Sequence, residues 1–209
     1  MTDPENRRPL ASRQSAWAGK LATRAVQRGI TPNQISQASI GFAAIGFVVY
    51  ALSPLATGLV QWLCLILAAA AAQARLVCNL IDGMVAIEGG QGTKDGPFWN
   101  EAPDRASDLL LLLGAGVAAG DPALGALAAA LAIGAAYIRE LGRAEGFVPD
   151  FSGPMAKPQR MAALTIGTVI AAFYATEWTL TLTLWIIVAG SAATILRRSI
   201  RLVTALKAR

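Results

Sequence analysis

Residues 75–108 read RLVCNLIDGMVAIEGGQGTKDGPFWNEAPDRASD and decide the fold, because they place polar residues at the ends of two apolar segments. Near the end of the first segment, residues recur at intervals of four, three and four positions. They are Arg75, Asn79, Asp82 and Ala86. At the start of the second segment, carboxylates recur at intervals of three and four. They are Glu101, Asp104 and Asp108. Because such intervals place residues on one helical face, we expect two helix ends that each carry a row of oxygen atoms.

These oxygen atoms predict a site for a hard divalent cation. Carboxylates brought together repel each other unless a cation neutralises them. Oxygen ligands without histidine or cysteine suit Mg²⁺ or Mn²⁺, and such an ion leaves coordination positions for phosphate oxygens. Helix capping is the alternative interpretation of acidic residues near a helix start. It accounts for one or two of them, but not for two facing rows.

The composition of the whole chain indicates a membrane protein. Of its 209 residues, 55% are hydrophobic and only 15% are charged, against about 25% charged in an average soluble domain. The mean hydropathy is +0.49. A soluble domain of this length would not cover so much apolar surface. The sequence contains no histidine, which excludes Ser-His-Asp catalysis and histidine-ligated metals.

Six apolar segments predict six transmembrane helices in an all-α protein. A bilayer core of about 30 Å needs roughly 20 helical residues. The predicted spans are 34–53, 58–80, 104–119, 122–143, 159–175 and 179–197. The basic residues precede the first span, lie in or beside the two long connections, or follow the last span, and the short connections hold none. The positive-inside rule therefore predicts that both termini are cytoplasmic, and we interpret the basic residues of both terminal segments as topology signals.

The first 33 residues predict a cytoplasmic amphipathic segment, and 34–209 predict one membrane domain. Apolar residues recur at helical spacing among Arg and Lys between positions 10 and 29. They are Leu10, Trp17, Leu21, Ala25 and Val26. This pattern favours a juxtamembrane helix lying on the cytoplasmic membrane surface, and a disordered basic arm is the alternative. The chain start has no apolar stretch of the kind found in signal peptides.

Residues 79–108 resemble the signature of the CDP-alcohol phosphotransferase family, which reads D-x2-D-G-x2-A-R and then G-x3-D-x3-D. The matching residues are Asp82, Gly83, Ala86, Asp104 and Asp108. The chain departs from the signature at three positions, and the intervening segment is a few residues longer. The departures are Asn79 for the first Asp, Ile87 for the Arg and Asn100 for the Gly. They resemble a divergent bacterial branch of the family.

Three other segments are similar to family patterns. Residues 31–36, TPNQIS, resemble the entry to the first span. Arg139-Glu140 with Arg143 is similar to a stretch in phosphatidylglycerophosphate synthases, and Gly153-Pro154-x2-Lys157-x2-Arg160 resembles the entry to the fifth span. Six spans with cytoplasmic ends are also the family architecture, so the resemblance covers most of the chain.

The resemblance implies a role for each matching residue. One or two divalent ions, Mg²⁺ or Mn²⁺, would be bound by Asn79, Asp82, Asp104 and Asp108, with Glu101 supplying the carboxylate that Asn79 lacks. Asp108 would be the general base that takes the acceptor's proton. The nucleotide would contact Thr31, Asn33, Asp82, Gly83 and Ala86. The basic group Arg139, Arg143, Lys157 and Arg160 has two open interpretations, an acceptor pocket for an anionic group or topology with headgroup binding.

The function implied by the resemblance is phosphatidyl transfer in phospholipid biosynthesis. The donor would be CDP-diacylglycerol, the acceptor a small hydroxyl compound, and the product CMP. Glycerol 3-phosphate, an inositol phosphate, serine and other polyols stay open as acceptors, as does a CDP-choline-like donor with a lipid acceptor. We expect membrane lipids and a second copy of the chain as partners, no nucleic acid, and a bacterial inner membrane with the site facing the cytoplasm.

Two other classes of protein compete with this interpretation. A degenerate family member that binds nucleotide or lipid without catalysis is suggested by Asn79 and Ile87, although the retained carboxylates argue against it. A small transporter predicts ionisable residues near the centres of spans. Here such residues cluster at the predicted cytoplasmic ends.

Overall fold

A computed structural model describes residues 15–87 and 89–209. The part of the predicted amphipathic segment before Ser15, including Leu10, lies outside the described residues. Seven α-helices and one short 3₁₀ helix, Ser53–Leu55, follow each other along the described chain, which contains no strand. The α-helices are α1 Ala16–Gln27, α2 Pro32–Leu52, α3 Gly58–Ile87, α4 Gly96–Ala118, α5 Pro122–Ala144, α6 Lys157–Phe173 and α7 Thr176–Lys207.

The helices begin and end where the local sequence allows. Thr31 caps α2 reciprocally with Gln34, since the Thr31 side chain accepts from the Gln34 N–H and the Gln34 side chain accepts from the Thr31 N–H. Asp121 accepts a hydrogen bond from the Leu124 N–H and caps α5. At the other end, Gly29 follows α1 and Gly120 follows α4, both with positive φ angles of 68° and 74°. Glycine adopts this left-handed conformation at little cost.

Four helices of the described chain are long and apolar enough to cross a membrane. They are Pro32–Leu55, Gly58–Ile87, Pro122–Ala144 and Thr176–Lys207. Helix α4 carries charged residues in its first half, and α6 has only 17 residues. The predicted all-helical membrane class is therefore confirmed, while the count of six spans and the orientation of the termini stay predictions.

Several helices extend beyond the predicted spans. Helix α3 continues to Ile87, α4 begins at Gly96 and α7 ends at Lys207. Our span limits follow apolar composition, but a helix satisfies its backbone hydrogen bonds internally and continues through polar residues. The polar ends of α3 and α4 are therefore helical, and their side chains have the fixed spacing of a helix face.

Small residues allow the helices of the core to pack closely. A side chain on Gly116 of α4 would bring its Cβ to 2.6 Å from the Cα of Gly125 on α5. Such contacts are typical of helix packing in membranes. A buried hydrogen bond of 2.5 Å between the Tyr50 and Thr168 hydroxyls also joins α2 to α6. These contacts fix the helices that carry the polar cluster described below.

Helix α1 lies within the predicted amphipathic segment and packs against α3. Its buried face consists of Ala18, Ala22 and Ala25, which belong to one apolar cluster with Leu80 and Met84. By contrast, the predicted apolar residues Trp17 and Leu21 are 47% and 39% exposed. The face toward the protein is therefore made of alanines, and the larger apolar side chains point away from it.

Candidate functional site

Arg75 joins the polar ends of α3 and α4. Its side chain is completely buried, and its Nη2 donates to Asp108 Oδ1 at 2.8 Å and to the Asp104 backbone carbonyl at 3.1 Å. The same atom lies 3.4 Å from Asp104 Oδ1. The sequence predicts Arg75 on the face of the oxygen ligands, and the structure places its guanidinium between Asp104 and Asp108 of α4.

Helix α6 supplies two more cations to the same carboxylates. Arg160 Nη2 lies 2.5 Å from Asp108 Oδ2, so each oxygen of Asp108 is bonded to one guanidinium. Lys157 forms an ion pair with Asp104, and Arg105 Nη2 lies 3.5 Å from the same carboxylate. Because buried charges are costly unless they are paired, these contacts explain how two aspartates are accommodated inside the helix bundle.

Asp82 is stabilised from a different direction. The Ser36 hydroxyl of α2 donates to Asp82 Oδ2 at 2.7 Å, and both residues are buried. Sequence analysis did not assign a role to Ser36. Its signal was available, because Ser36 closes the TPNQIS segment, but spacing within one helix does not identify a partner on another helix.

The carboxylate of Glu101 is paired with arginine side chains and is not free in the described structure. Both of its oxygens lie 2.6 Å from Arg139 Nη2 on α5, and Arg105 Nη1 approaches to 3.3 Å. Arg139 also bonds Glu140, which in turn accepts from Arg143. Glu101, which the sequence predicts as the substitute for the carboxylate that Asn79 lacks, therefore belongs to an ion-pair network between α4 and α5.

The predicted nucleotide residues occupy the start of α2 and the end of α3. Thr31 is exposed and caps α2, whereas Gly83 and Ala86 are half-buried on the last turns of α3. Asn33 Nδ2 donates to Asp95 Oδ2 at 3.3 Å and to Thr93 Oγ1 at 3.4 Å. The start of α2 is thereby tied to the glycine-rich connection between α3 and α4.

Asp95 is the central acceptor in these contacts between the start of α2 and the connection from α3 to α4. Besides the bond from Asn33, its Oδ2 accepts a hydrogen bond of 2.9 Å from Trp99 Nε1. Hydrogen bonds from Thr93, from Trp99 and from Asn33 lower the pKa of Asp95 below its usual value. The carboxylate is therefore ionised at neutral pH and can accept the hydrogen bonds from both Asn33 and Trp99.

A cleft beside the carboxylates is lined by basic side chains. They are Arg105, Arg139, Lys157, Arg160 and Arg198. Arg143, which the sequence grouped with them, is not among the lining residues, and its side chain is 52% exposed. Four basic residues of the lining thus come from α4, α5 and α6, and the fifth comes from α7.

Arg198 is a residue that sequence analysis placed among the topology signals. The structure buries it, with hydrogen bonds from Nη1 to the Ala135 carbonyl at 2.6 Å and from Nε to the Ser152 carbonyl at 2.9 Å. Nothing in the sequence separates Arg198 from its neighbours Arg197 and Arg201. Only the packing of α7 against α5 makes it part of the cleft.

The donor chemistry of the centre fits a divalent cation. Within the described part of the chain, three buried oxygens of these residues accept no hydrogen bond: Asn79 Oδ1, Asp82 Oδ1 and Asp104 Oδ1. No group of three or more His, Cys, Asp or Glu side chains in residues 15–87 and 89–209 is arranged to hold a metal ion. Among the described residues, the oxygens of this centre without a hydrogen-bond partner are one amide oxygen and two carboxylate oxygens, and oxygen donors of this kind suit Mg²⁺ or Mn²⁺.

The fold and the buried carboxylates define a helical membrane protein with a polar centre at the ends of its helices. No protein-family model matches the chain. The phosphatidylinositol phosphate synthase of Mycolicibacterium smegmatis is 26% identical over 187 residues, which cover 85% of this chain and 80% of that relative.

Solved structures of the phosphatidylinositol phosphate synthase of Mycobacterium tuberculosis have the same fold. The complex with manganese and citrate gives a TM-score of 0.74 at 19% identity and covers 90% of this chain and 89% of that chain. The structure with CDP-DAG bound gives the same TM-score and identity and covers 90% and 94%. These similarities agree with the resemblance to the CDP-alcohol phosphotransferases that the sequence shows.

Proposed function

We propose that this protein is an integral-membrane transferase that moves a phosphatidyl group from CDP-diacylglycerol to a small hydroxyl acceptor and releases CMP. The observation that carries the proposal is the pair Asp104–Asp108, buried in α4 and held by cations of α3 and α6. The relative in Mycolicibacterium smegmatis and the neighbour structure with CDP-DAG bound support this donor and reaction.

The reaction exchanges the pyrophosphate bond of the donor for a new phosphate ester bond. The acceptor oxygen attacks the phosphorus that carries the diacylglycerol, and the bond from that phosphorus to the CMP oxygen breaks. In this proposal Asp108 accepts the acceptor's proton. Each of its oxygens is bonded to one guanidinium group and keeps a second lone pair that can accept a hydrogen bond from the entering hydroxyl.

Asn79, Asp82 and Asp104 would hold the divalent ion, which supplies charge neutralisation for the donor's pyrophosphate when it is bound. Ser36 keeps one Asp82 oxygen directed toward α2. Thr31, Asn33, Gly83 and Ala86 lie at the adjoining helix ends, where small side chains leave room for the cytidine part. The hydrogen bonds of Asn33 to Thr93 and Asp95, in the connection between α3 and α4, would orient this side of the nucleotide.

The basic cleft favours an acceptor that carries an anionic group. Arg139, Lys157, Arg160 and Arg198 line this cleft, and Arg160 also bonds Asp108. Guanidinium groups bind phosphate through paired hydrogen bonds. An inositol phosphate or glycerol 3-phosphate has this chemistry, and the names of the relatives point to the former. Arg143 is exposed, so it is the residue of the predicted acceptor group that has the least structural support.

The proposal includes the membrane arrangement. Helices α4 and α6 would cross the bilayer beside the four longer apolar helices, giving six spans over 34–209 with both termini cytoplasmic. Residues 1–33 would form an N-terminal cytoplasmic segment whose α1 packs against α3 and places Trp17 and Leu21 in the membrane interface. The site would then face the cytoplasm of a bacterial inner membrane, where CMP is released, and a homodimer is the expected assembly.

The test is CMP release by the purified protein in liposomes. Protein, CDP-diacylglycerol and Mn²⁺ are incubated with and without a pool of hydroxyl acceptors, and mass spectrometry identifies the lipid product. We expect CMP release that requires both the acceptor and the metal. Metal-dependent binding of CDP-diacylglycerol without CMP release would indicate the degenerate binder and contradict the transferase.

A further inference from the structure

The unusual feature of this centre is the number of cations that the chain itself supplies. Asp82, Asp104 and Asp108 carry three negative charges, and Arg75, Lys157 and Arg160 pair with Asp104 and Asp108. The first signature position is the neutral Asn79. The carboxylates of α4 are thus neutralised by side chains before any metal ion binds.

In two of the predicted ligands, both carboxylate oxygens are paired with guanidinium groups of the chain. Asp108 Oδ1 is bonded to Arg75 and Asp108 Oδ2 to Arg160, and both oxygens of Glu101 face Arg139. Among the buried side-chain oxygens of this centre, in the described part of the chain, those without a hydrogen-bond partner belong instead to Asn79, Asp82 and Asp104.

We propose that Arg75 is a built-in cation that takes the place of a second divalent ion, so that the centre binds a single divalent ion through Asn79, Asp82 and Asp104. This inference rests on the proposed function for the identity of the site and deepens it. Arg75 is a positioning residue here, because its guanidinium fixes Asp108 between α3 and α6 and contacts the Asp104 carbonyl.

The position of Arg75 explains the change at the first signature residue. Arg75 lies one helical turn before Asn79 on the same face of α3. An aspartate at position 79 would add a negative charge to the centre, and that charge would require another cation. Arg75 already supplies a cation, at Asp108. Removing Arg75 removes a buried positive charge next to the metal oxygens, and repulsion between cations is strong in such surroundings. Loss of Arg75 must therefore tighten divalent-ion binding.

The test is a titration of the purified full-length protein with Mn²⁺ in detergent, without donor or acceptor. Free Mn²⁺ is measured by its electron paramagnetic resonance signal. We expect one Mn²⁺ per chain for the unchanged protein. Arg75→Met should bind its first Mn²⁺ about tenfold or more tightly, and the double variant Arg75→Met with Asn79→Asp should bind two.

Matched variants separate this effect from others. Arg75→Lys retains the charge and should stay within about threefold of the unchanged protein. Arg201→Met removes a charge that pairs with Asp150 rather than with the centre, and it should leave the affinity unchanged. Asn79→Asp alone keeps Arg75, so it should still bind one Mn²⁺. This variant tests the proposal even where Arg75→Met does not fold.

Three results would overturn the inference: two Mn²⁺ or none bound by the unchanged protein, no tightening in folded Arg75→Met, or two Mn²⁺ bound by Asn79→Asp alone. Equal tightening in Arg201→Met would assign the effect to net charge and also contradict it. The titration contains no substrate, so it tests metal binding separately from catalysis. A protein that binds two Mn²⁺ in the titration but releases CMP when substrates are supplied would contradict this inference and leave the proposed function intact.

Discussion

Arg75 of α3 and Asp108 of α4 form an ion pair in which both side chains are completely buried, with 2.8 Å between Nη2 and Oδ1. Breaking such a pair by removing one partner typically costs about 3–5 kcal/mol, because the other charge stays buried. Asp108 keeps a second guanidinium, that of Arg160. The carboxylate is therefore held by cations of α3 and α6 at once, which fixes its position inside the helix bundle.

Ser36→Ala should reduce activity without unfolding the protein. The variant removes the 2.7 Å hydrogen bond that orients Asp82, and losing such an outer contact to a metal ligand typically costs 10- to 100-fold in metal affinity or activity. CMP release as a function of Mn²⁺ concentration measures the effect, and Ser36→Thr should recover most of it. Ser39→Ala is the control, because the Ser39 hydroxyl donates to the Ser36 carbonyl and not to Asp82. An equal loss in both variants would show that Ser36 acts only through packing.

Arg139→Gln should weaken acceptor binding specifically. Arg139 lines the cleft and reaches Glu101, and loss of a charge-assisted hydrogen bond of about 1.5–3 kcal/mol raises KM for an anionic acceptor roughly 10- to 100-fold. KM for CDP-diacylglycerol should stay nearly unchanged. Arg143→Gln provides the comparison, since Arg143 lies on the same helix outside the lining. A larger effect in Arg143→Gln, or an effect on the donor alone, would refute the acceptor role of the cleft.

Asp95→Ala should loosen the connection between α3 and α4. Asp95 is the common acceptor for Asn33 and Trp99, so its removal releases the connection from α2. Hydrogen exchange of residues 89–95 should become several-fold faster, as expected when a segment loses its few stabilising contacts. Asn33→Ala should produce a similar change, and the double variant should add little to either. Fully additive effects would mean that the two residues act independently.

Gly125→Ala tests the close packing of α4 and α5. The new Cβ would lie 2.7 Å from the Leu112 carbonyl oxygen and 2.9 Å from the Gly116 Cα, so the helices must separate. Overpacking of this kind typically costs about 1–3 kcal/mol, measured by unfolding in detergent. Gly41→Ala is the matched control, because nothing lies within 4 Å of its added Cβ. It should be neutral or slightly stabilising, and equal destabilisation in the two variants would contradict the packing argument.

The sequence predicted the helices well because apolar length and turn residues are local properties. All six predicted spans lie largely within α2–α7. It also placed Arg75 on the face of the acidic residues, since helical spacing alone decides that.

The partners of each carboxylate were beyond sequence reasoning. Spacing gives the face of one helix, but it does not give the long side chain that arrives from another helix. Ser36 at Asp82, Arg160 at Asp108 and Arg139 at Glu101 are all such contacts. Arg198 was missed for the same reason, because its burial depends on the packing of α7 and not on its neighbours in sequence.

The most direct test of the central claim compares the unchanged protein with Asp108→Asn in liposomes that contain CDP-diacylglycerol, Mn²⁺ and a phosphate-bearing hydroxyl acceptor. The substitution retains the size of the side chain but removes its basic carboxylate. We expect CMP and a new phospholipid from the unchanged protein, and a rate lower by about 10²- to 10⁴-fold from the variant, at equal Mn²⁺ and donor binding. Equal rates, or no CMP from the unchanged protein under these conditions, would contradict the account.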